Sequence, residues 1–312
     1  MFVMLKRKGN SKSEGSNYLG FLILISLLHF FATKSFADLP LTVEDLLTKK
    51  NQFRLSFNIG YANADRSKVS AYFDDIDTGN NNFVRLPVVV GEQRQNSDIF
   101  TLTFGGRYGL SENTEIYSRL TATANDTRLH VGNGSNSFES EQLSQLMIGV
   151  NHQFSEDTDS PALLGFAELA LAENTAIDGS EYVHFKTGQI GFTTYKSLDP
   201  VVLSLTTGYR HSWRRKANEK DQDPGGLLFI NPSVGFAVNN EVTLTGGMQF
   251  KFRSKDRIDH KWVGIRTSQT DLEFGLGYAN SEKLTINLTI SNDISGASGA
   301  QANIGWLYKL KD

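Results

Sequence analysis

Nine charged side chains occupy positions from which they can act together: Arg54, Arg107, Arg119, Glu168, Arg210, Arg214, Lys251, Asp271 and Glu273. Each shares a strand parity with Thr, Ser, Gly, Asn or Gln, opposite a parity of Leu, Ile, Val, Phe and Tyr. Charges set around a wet interior orient and select a solute by their field and need make no covalent bond. The same residues also serve if they merely pair across the interior and fill it. Their basic excess favours anionic or polar-aromatic solutes.

Covalent chemistry has little footing. There is no cysteine, which removes disulfides and thiolate metal sites. His130, His152, His184, His211 and His260 are scattered, without an i,i+4 or H-E-x-x-H pair, and no G-x-S-x-G occurs. A lipase or protease would need strand pairing to bring His152 or His211 to a serine. In DDIDTGN (74–80), Asp75 and Asp77 match the start of a calcium loop. Gly79 and Leu86 then stand where the fifth and twelfth ligands belong, so the stretch reads as an acidic, glycine-rich outer loop. RHSWRRK (210–216) is the densest basic run, suited to lipopolysaccharide phosphate, to an outer constriction or to a solvated loop base. The expectation is no catalytic residue, no metal and no cofactor.

These charges need strands to hold them. EVTLTGGMQFKF (241–252) puts Val242, Leu244, Gly246, Met248, Phe250 and Phe252 on one face and Thr243, Thr245, Gly247, Gln249 and Lys251 on the other. QFRLSFNIGY, FTLTFGGRYGL, TEIYSRLTATA, QLMIGVNHQF, VVLSLTTGYRHSW, LLFINPSVGFAV, WVGIRTSQTDLEFGLGYA, KLTINLTI and QANIGWLYKL repeat the alternation, while PALLGFAELAL and VHFKTGQIGFTTY blur it. About twelve strands result, most of a length that crosses a bilayer at a tilt. Short turns (GLSEN, FSEDTDS, KSLDP, VNNE, ANSEK) alternate with longer polar stretches near 62–95, 126–138, 173–181, 215–226, 253–260 and 292–299. That alternation belongs to an outer-membrane barrel with periplasmic turns and outer loops. A sheet in lipid must also close, because an open edge leaves backbone groups unsatisfied. Phe53, Tyr108, Tyr278, Trp306 and Tyr308 at one rim, and Tyr61, Trp213, Phe252 and Trp262 at the other, form the expected interfacial girdles.

The start of the chain gives the compartment. Lys6, Arg7, Lys8 and Lys12 precede an apolar run at 18–32 and a small-x-small site, Ser35-Phe36-Ala37, so residues 1–37 read as a signal peptide. Its removal takes five basic residues and one acid from totals of 31 and 34, leaving a net charge near −7. Nucleic acid is therefore not an expected partner. Residues 38–51 form a periplasmic segment whose TVEDLLTKK predicts a short helix. Thr42 caps it, and Val43, Leu46 and Leu47 form an apolar stripe. The segment tethers the rim or plugs the barrel mouth. Residues 52–312 form the closed antiparallel all-β barrel. A twelve-stranded lumen lies between the filled small barrels and the open porins, so a narrow or gated channel is expected. Its partners would be outer-membrane lipid, lipopolysaccharide and the barrel-assembly machinery. A loop-based adhesin working through 62–95 is a further reading.

LPLTVEDLLTKKNQFRLSFNIGYANADR (39–66) resembles the opening of outer-membrane proteins grouped with the meta-pathway phenol-degradation family. There a T-V-E-D/E-L-L segment precedes a first strand ending in Y-A-N/D. The resemblance implies a barrel and a transport role without fixing the solute. Through that group the chain distantly resembles the Fap-type channel that secretes amyloid subunits, from which it departs in lacking a long periplasmic coiled coil. Secretion of an amyloid-like or other unfolded polypeptide is the alternative function this implies.

Overall fold

The structure is a computed structural model that describes residues 47–66, 73–79, 81–87, 94–131, 134–175, 181–217, 220–295 and 298–310. The expected signal peptide lies outside the described residues, as do Thr42, Val43 and Leu46.

In chain order the strands are β1 (Phe53–Arg66), β2 (Phe73–Asp77), β3 (Phe83–Pro87), β4 (Arg94–Ser111), β5 (Thr114–Val131), β6 (Gly134–Ser155), β7 (Ala162–Asn174), β8 (Tyr182–Val183), β9 (Thr187–Leu198) and β10 (Val201–Ser212). They continue with β11 (Arg215–Ala217), β12 (Lys220–Asp223), β13 (Leu227–Ala237), β14 (Val242–Arg253), β15 (Asp256–Ile258), β16 (Lys261–Val263), β17 (Thr267–Ser281), β18 (Leu284–Asp293) and β19 (Ser298–Lys309). Twelve of these make one antiparallel wall in the order β6-β5-β4-β1-β19-β18-β17-β14-β13-β10-β9-β7, and β6 pairs with β7 to close it. The first and last strands meet, with Phe57 opposite Trp306 and Ile59 opposite Ile304. Closure gives each wall strand two partners and removes every sheet edge.

Side chains alternate across the wall. Phe252 is 45% exposed on the outside, and its neighbour Lys251 is 5% exposed inside. Leu102, Phe104, Leu120, Ile190, Leu203, Leu244, Phe274 and Ile304 also stand exposed on the outer surface. The inner surface carries hydroxyl pairs across neighbouring strands: Thr103 with Thr121 at 3.0 Å, Thr123 with Ser144 at 2.5 Å and Ser204 with Ser233 at 2.6 Å. An apolar exterior around a polar interior inverts the soluble sandwich and suits a lipid surround.

Five connections are tight and lie at one end, which the turn rule makes periplasmic. At the other end the long connections fold further. Residues 213–226 and 254–266 contribute a four-stranded sheet, β11-β12-β15-β16, above the wall. The segment after β1 returns as the hairpin β2–β3, with Asp75 opposite Arg85 and Ile76 opposite Val84. The described hairpin of the stretch expected as an outer loop thus turns inward. Phe83 is fully buried against Leu227 and Phe229 of the wall, with the Phe83 and Phe229 rings 5.0 Å apart. At the hairpin tip Gly79 adopts φ +90°, a left-handed conformation open to glycine at little cost, and its N–H donates to Asp77 Oδ1 at 2.8 Å.

Leu47 to Lys50, the described end of the expected helix, are not helical. Lys50 instead bridges to Gly109 of β4.

Candidate functional site: a lumen closed at two levels

At the outer level the hairpin is fixed by charge. The guanidinium of Arg85 donates to Asp75 through Nε at 2.8 Å and Nη2 at 2.9 Å, a bidentate pair. Arg253 of β14 approaches the same carboxylate at 3.7 Å and donates to Asp256 at 3.0 Å. Arg85 also donates to Ser212 of β10 and to the Gly225 carbonyl. Arg210 donates to the Phe83 carbonyl and, at 3.3 Å each, to Gln145 and Glu173. Glu173 accepts from Arg215 as well. Burial alone would push the Asp75 carboxyl up, but the Arg85 and Arg253 guanidiniums hold it well below the usual carboxylate range. Asp77 accepts from Gln249 Nε2 at 2.6 Å. Burial raises its pKa, and the attraction of Lys251 offsets this only in part.

At the periplasmic level the segment before β1 crosses the mouth. The Thr48 N–H donates to Glu115 Oε2 at 2.8 Å. The Glu115 carboxylate is wholly buried and also accepts from Asn151 Nδ2 at 2.6 Å and Arg107 Nη1 at 3.3 Å. Leu47 packs on a buried patch of Ala162, Leu164, Tyr195 and Val202. The Asn51 N–H adds a backbone bond to the Gly109 carbonyl at 2.9 Å.

Between the two levels lies a cavity of about 400 Å³. Asn81 and Asn82 of the hairpin tip face it from above, and Leu164, Phe166, Tyr195 and Val202 form an apolar side. Ser, Thr and Asn side chains line much of the rest, with Arg107, Arg119, Tyr117 and Glu168, and with Gln189, Trp306 and Leu307. Glu168 accepts from Tyr117 Oη at 2.7 Å and from Arg119 Nη2 at 2.6 Å.

The nine charged residues expected inside divide accordingly. Arg54, Arg119, Glu168, Arg210, Lys251 and Asp271 are buried on inward positions, and Arg107 and Glu273 are half-buried there. The Lys251 ammonium lies 2.6 Å from Asp271. Arg214 does not join them. β10 ends at Ser212, the parity breaks, and Arg214 sits half-exposed over the outer sheet, 2.8 Å from both Asp221 and His260 Nε2. Its neighbour Arg215 takes the buried place beside Glu173. Among the girdle residues, Phe53, Tyr61, Tyr108, Trp213, Phe252 and Tyr308 are exposed on the outer surface. Tyr278 and Trp306 are half-buried, Trp306 against Phe57 at 5.6 Å. Trp262 lies in β16 of the outer sheet, under the Arg257 guanidinium at 4.4 Å. His211 stands outside between the rings of Tyr209 and Trp213, and His152 faces Thr114 Oγ1 at 2.8 Å.

No family profile matches the sequence, and no curated protein is detectably similar to it. Solved structures do match. An outer membrane channel from Pseudomonas putida F1 superposes at a TM-score of 0.61 and 10% identity, covering 86% of this chain and 98% of that one. The translocator domain of the autotransporter NalP from Neisseria meningitidis matches at 0.50 and 12% identity over 86% and 90%. The transport unit of the autotransporter AIDA-I from Escherichia coli matches at 0.50 and 10% identity over 96% and 99%. At such identities the likeness is one of fold, and the fold is that of a bacterial outer-membrane barrel.

Proposed function

We propose that the chain is an outer-membrane channel that passes small solutes by diffusion and is held shut in the described conformation. The observation that carries this reading is the cavity between two independent closures, the β2–β3 hairpin above and residues 47–52 below. A filled structural barrel has no use for such a chamber. An open porin has no use for either closure. Residues 1–37 would direct export and be removed. The inward charges would line the path, and the apolar side of the chamber suits a solute with an aromatic or otherwise apolar part. That preference agrees with the aromatic-pathway proteins that residues 39–66 resemble. Passage of an unfolded polypeptide would require the hairpin to leave the lumen entirely, which makes small solutes the better fit.

Reconstitution of the whole chain in planar bilayers tests the reading. Rare, small conductance steps are expected from the intact protein, and frequent, larger ones once the hairpin is excised. A folded, hairpin-free barrel that gives no steps would end the proposal.

A further inference from the structure

The fold divides the basic run at 210–216. Arg210 and Arg215 are buried and paired with Glu173. Arg214 and Lys216 stay at the outer rim, where the link between β8 and β9 brings His184 and Lys186 beside them. These four, with Arg215 and Asp221, line an open depression of about 540 Å³. Its lining acid is already engaged, since Asp221 holds Arg214 at 2.8 Å. Asp259 accepts the Asp221 N–H at 3.1 Å. Lys186 and Lys216 differ from their neighbours. Both reach the depression, and among the described residues neither ammonium has a hydrogen bond or an ion pair.

The same two segments carry exposed rings. In His184-Phe185-Lys186 and in Trp213-Arg214 an aromatic side chain stands next to each basic group of the depression. Phe185 is 58% exposed and Trp213 44%. Phe185 has φ +55°, a left-handed conformation that a bulky residue rarely takes. The turn is fixed, because the Phe185 N–H donates to the Ala170 carbonyl at 3.0 Å. Backbone strain of this kind clusters where a surface has a task, and here it holds a phenyl ring out from the wall. The Lys186 carbonyl accepts from the Trp213 N–H at 2.8 Å and from Arg215 Nη2 at 3.1 Å, which ties the two segments together. Gly188 makes room for the indole, since a Cβ there would stand 2.9 Å from the Trp213 ring. The rim is thus one held unit of rings beside unpaired cations.

We propose that this rim is a binding site for the phosphorylated headgroup of lipopolysaccharide. Lys186 and Lys216 take a lipid A phosphate in the depression, and Phe185 and Trp213 rest against the acyl carbons next to it. An outer-membrane barrel meets that lipid at this end, where the long connections face outward. Basic side chains near a membrane surface attract anionic headgroups, and aromatic rings settle at the interface just beneath them. The rim presents both in that arrangement. A free anion would use the ammonium groups and leave the strained, exposed Phe185 without a purpose. The site lies outside the lumen, so it does not depend on whether the chamber conducts.

The test is native mass spectrometry of the folded full chain in detergent. It is titrated with bisphosphorylated lipid A, with the same lipid stripped of phosphate, and with inorganic phosphate as competitor. Lipid A should bind saturably, and the phosphate-free lipid at least about tenfold more weakly. Lys186→Gln combined with Lys216→Gln should lower lipid A affinity by about tenfold or more. Lys255→Gln combined with Lys261→Gln, at exposed positions of the segment that carries β15 and β16, should leave it unchanged. That pair separates a site from diffuse positive charge. Phe185→Gly relieves the left-handed strain and removes the ring. It should keep or raise the temperature at which the barrel loses its heat-modifiable gel migration, yet weaken lipid A binding, a combination that misfolding does not mimic. Equal binding of the two lipids, equal losses in the two lysine pairs, or undiminished binding in the 186/216 pair or in Phe185→Gly overturns the proposal. So does displacement of lipid A by millimolar inorganic phosphate, which would mark a plain anion site.

Discussion

The outer half of the lumen is packed like a protein interior, whereas the periplasmic half is roomy and, among the described residues, held shut by few contacts. Above, a hairpin brings its own apolar residue, Phe83, and its own ion pair, Asp75 with Arg85, and plugs both into the wall. Below, the described stretch of backbone hangs from the Glu115 carboxylate, and the Leu47 side chain rests on a small patch. Both closures desolvate charge. Among the described residues, the upper one surrounds it with several opposite charges, as a buried pair requires if the desolvation cost is to be offset. The outer closure should therefore be the firmer and the periplasmic one the first to yield.

That contrast can be broken most forcefully by excision. Replacing residues 73–87 with a flexible linker should raise single-channel conductance several-fold, far more than deleting residues 38–50. If the two deletions act equally in planar bilayers, the halves are not unequal. Asp75→Asn should come next. It leaves Arg85 and Arg253 buried beside a neutral partner, a loss of about 3–5 kcal/mol in docking the hairpin. Trypsin should then cleave at Arg85 in folded protein from which the native chain is protected. A weaker effect is expected from Glu115→Ala, which strands the Thr48 N–H at a cost of about 1–3 kcal/mol. A single cysteine at Thr48, in a chain with no others, should become reactive to maleimide in that variant and stay protected in its parent. The smallest effect is acidic. The raised Asp77 pKa means that docking is favoured below its unfolded value and weakens as pH climbs through the folded one. Conductance of the intact protein should therefore fall modestly as pH is lowered from neutral. Asp77→Asn should abolish that dependence. Asp75, held low, keeps its ion pairs until well into acid.

Much of the wall was legible because lipid and water impose opposite demands on alternate residues, and eight or more strands repeated the contrast. Legibility failed where the inside is not polar. β7 and β9 read poorly because Ala162, Leu164, Phe166 and Tyr195 face inward yet are apolar, serving Leu47 and the chamber. Parity also misleads past the end of a strand, which is how Arg214 was expected inside and Arg215 overlooked. The hairpin was hidden because a polar loop carries no periodicity long enough to register. Its one signal is local: Asp75 and Arg85 stand at matching distances from a Thr-Gly-Asn-Asn-Asn turn, as two arms of a hairpin would place them. Glu115 and Arg253 held inward parity all along. Their importance lies in what they meet across the lumen, and sequence spacing carries no information about that.

The seam between β1 and β19 has a consequence for biogenesis. The cylinder stays open until its final strand is laid beside its first, and the hairpin directly follows that first strand. During synthesis and insertion it therefore exists before there is any enclosed space to occupy, and an incomplete sheet gives it a sideways route to its berth. Once the seam zips, that route is gone, and only the outer mouth remains for leaving.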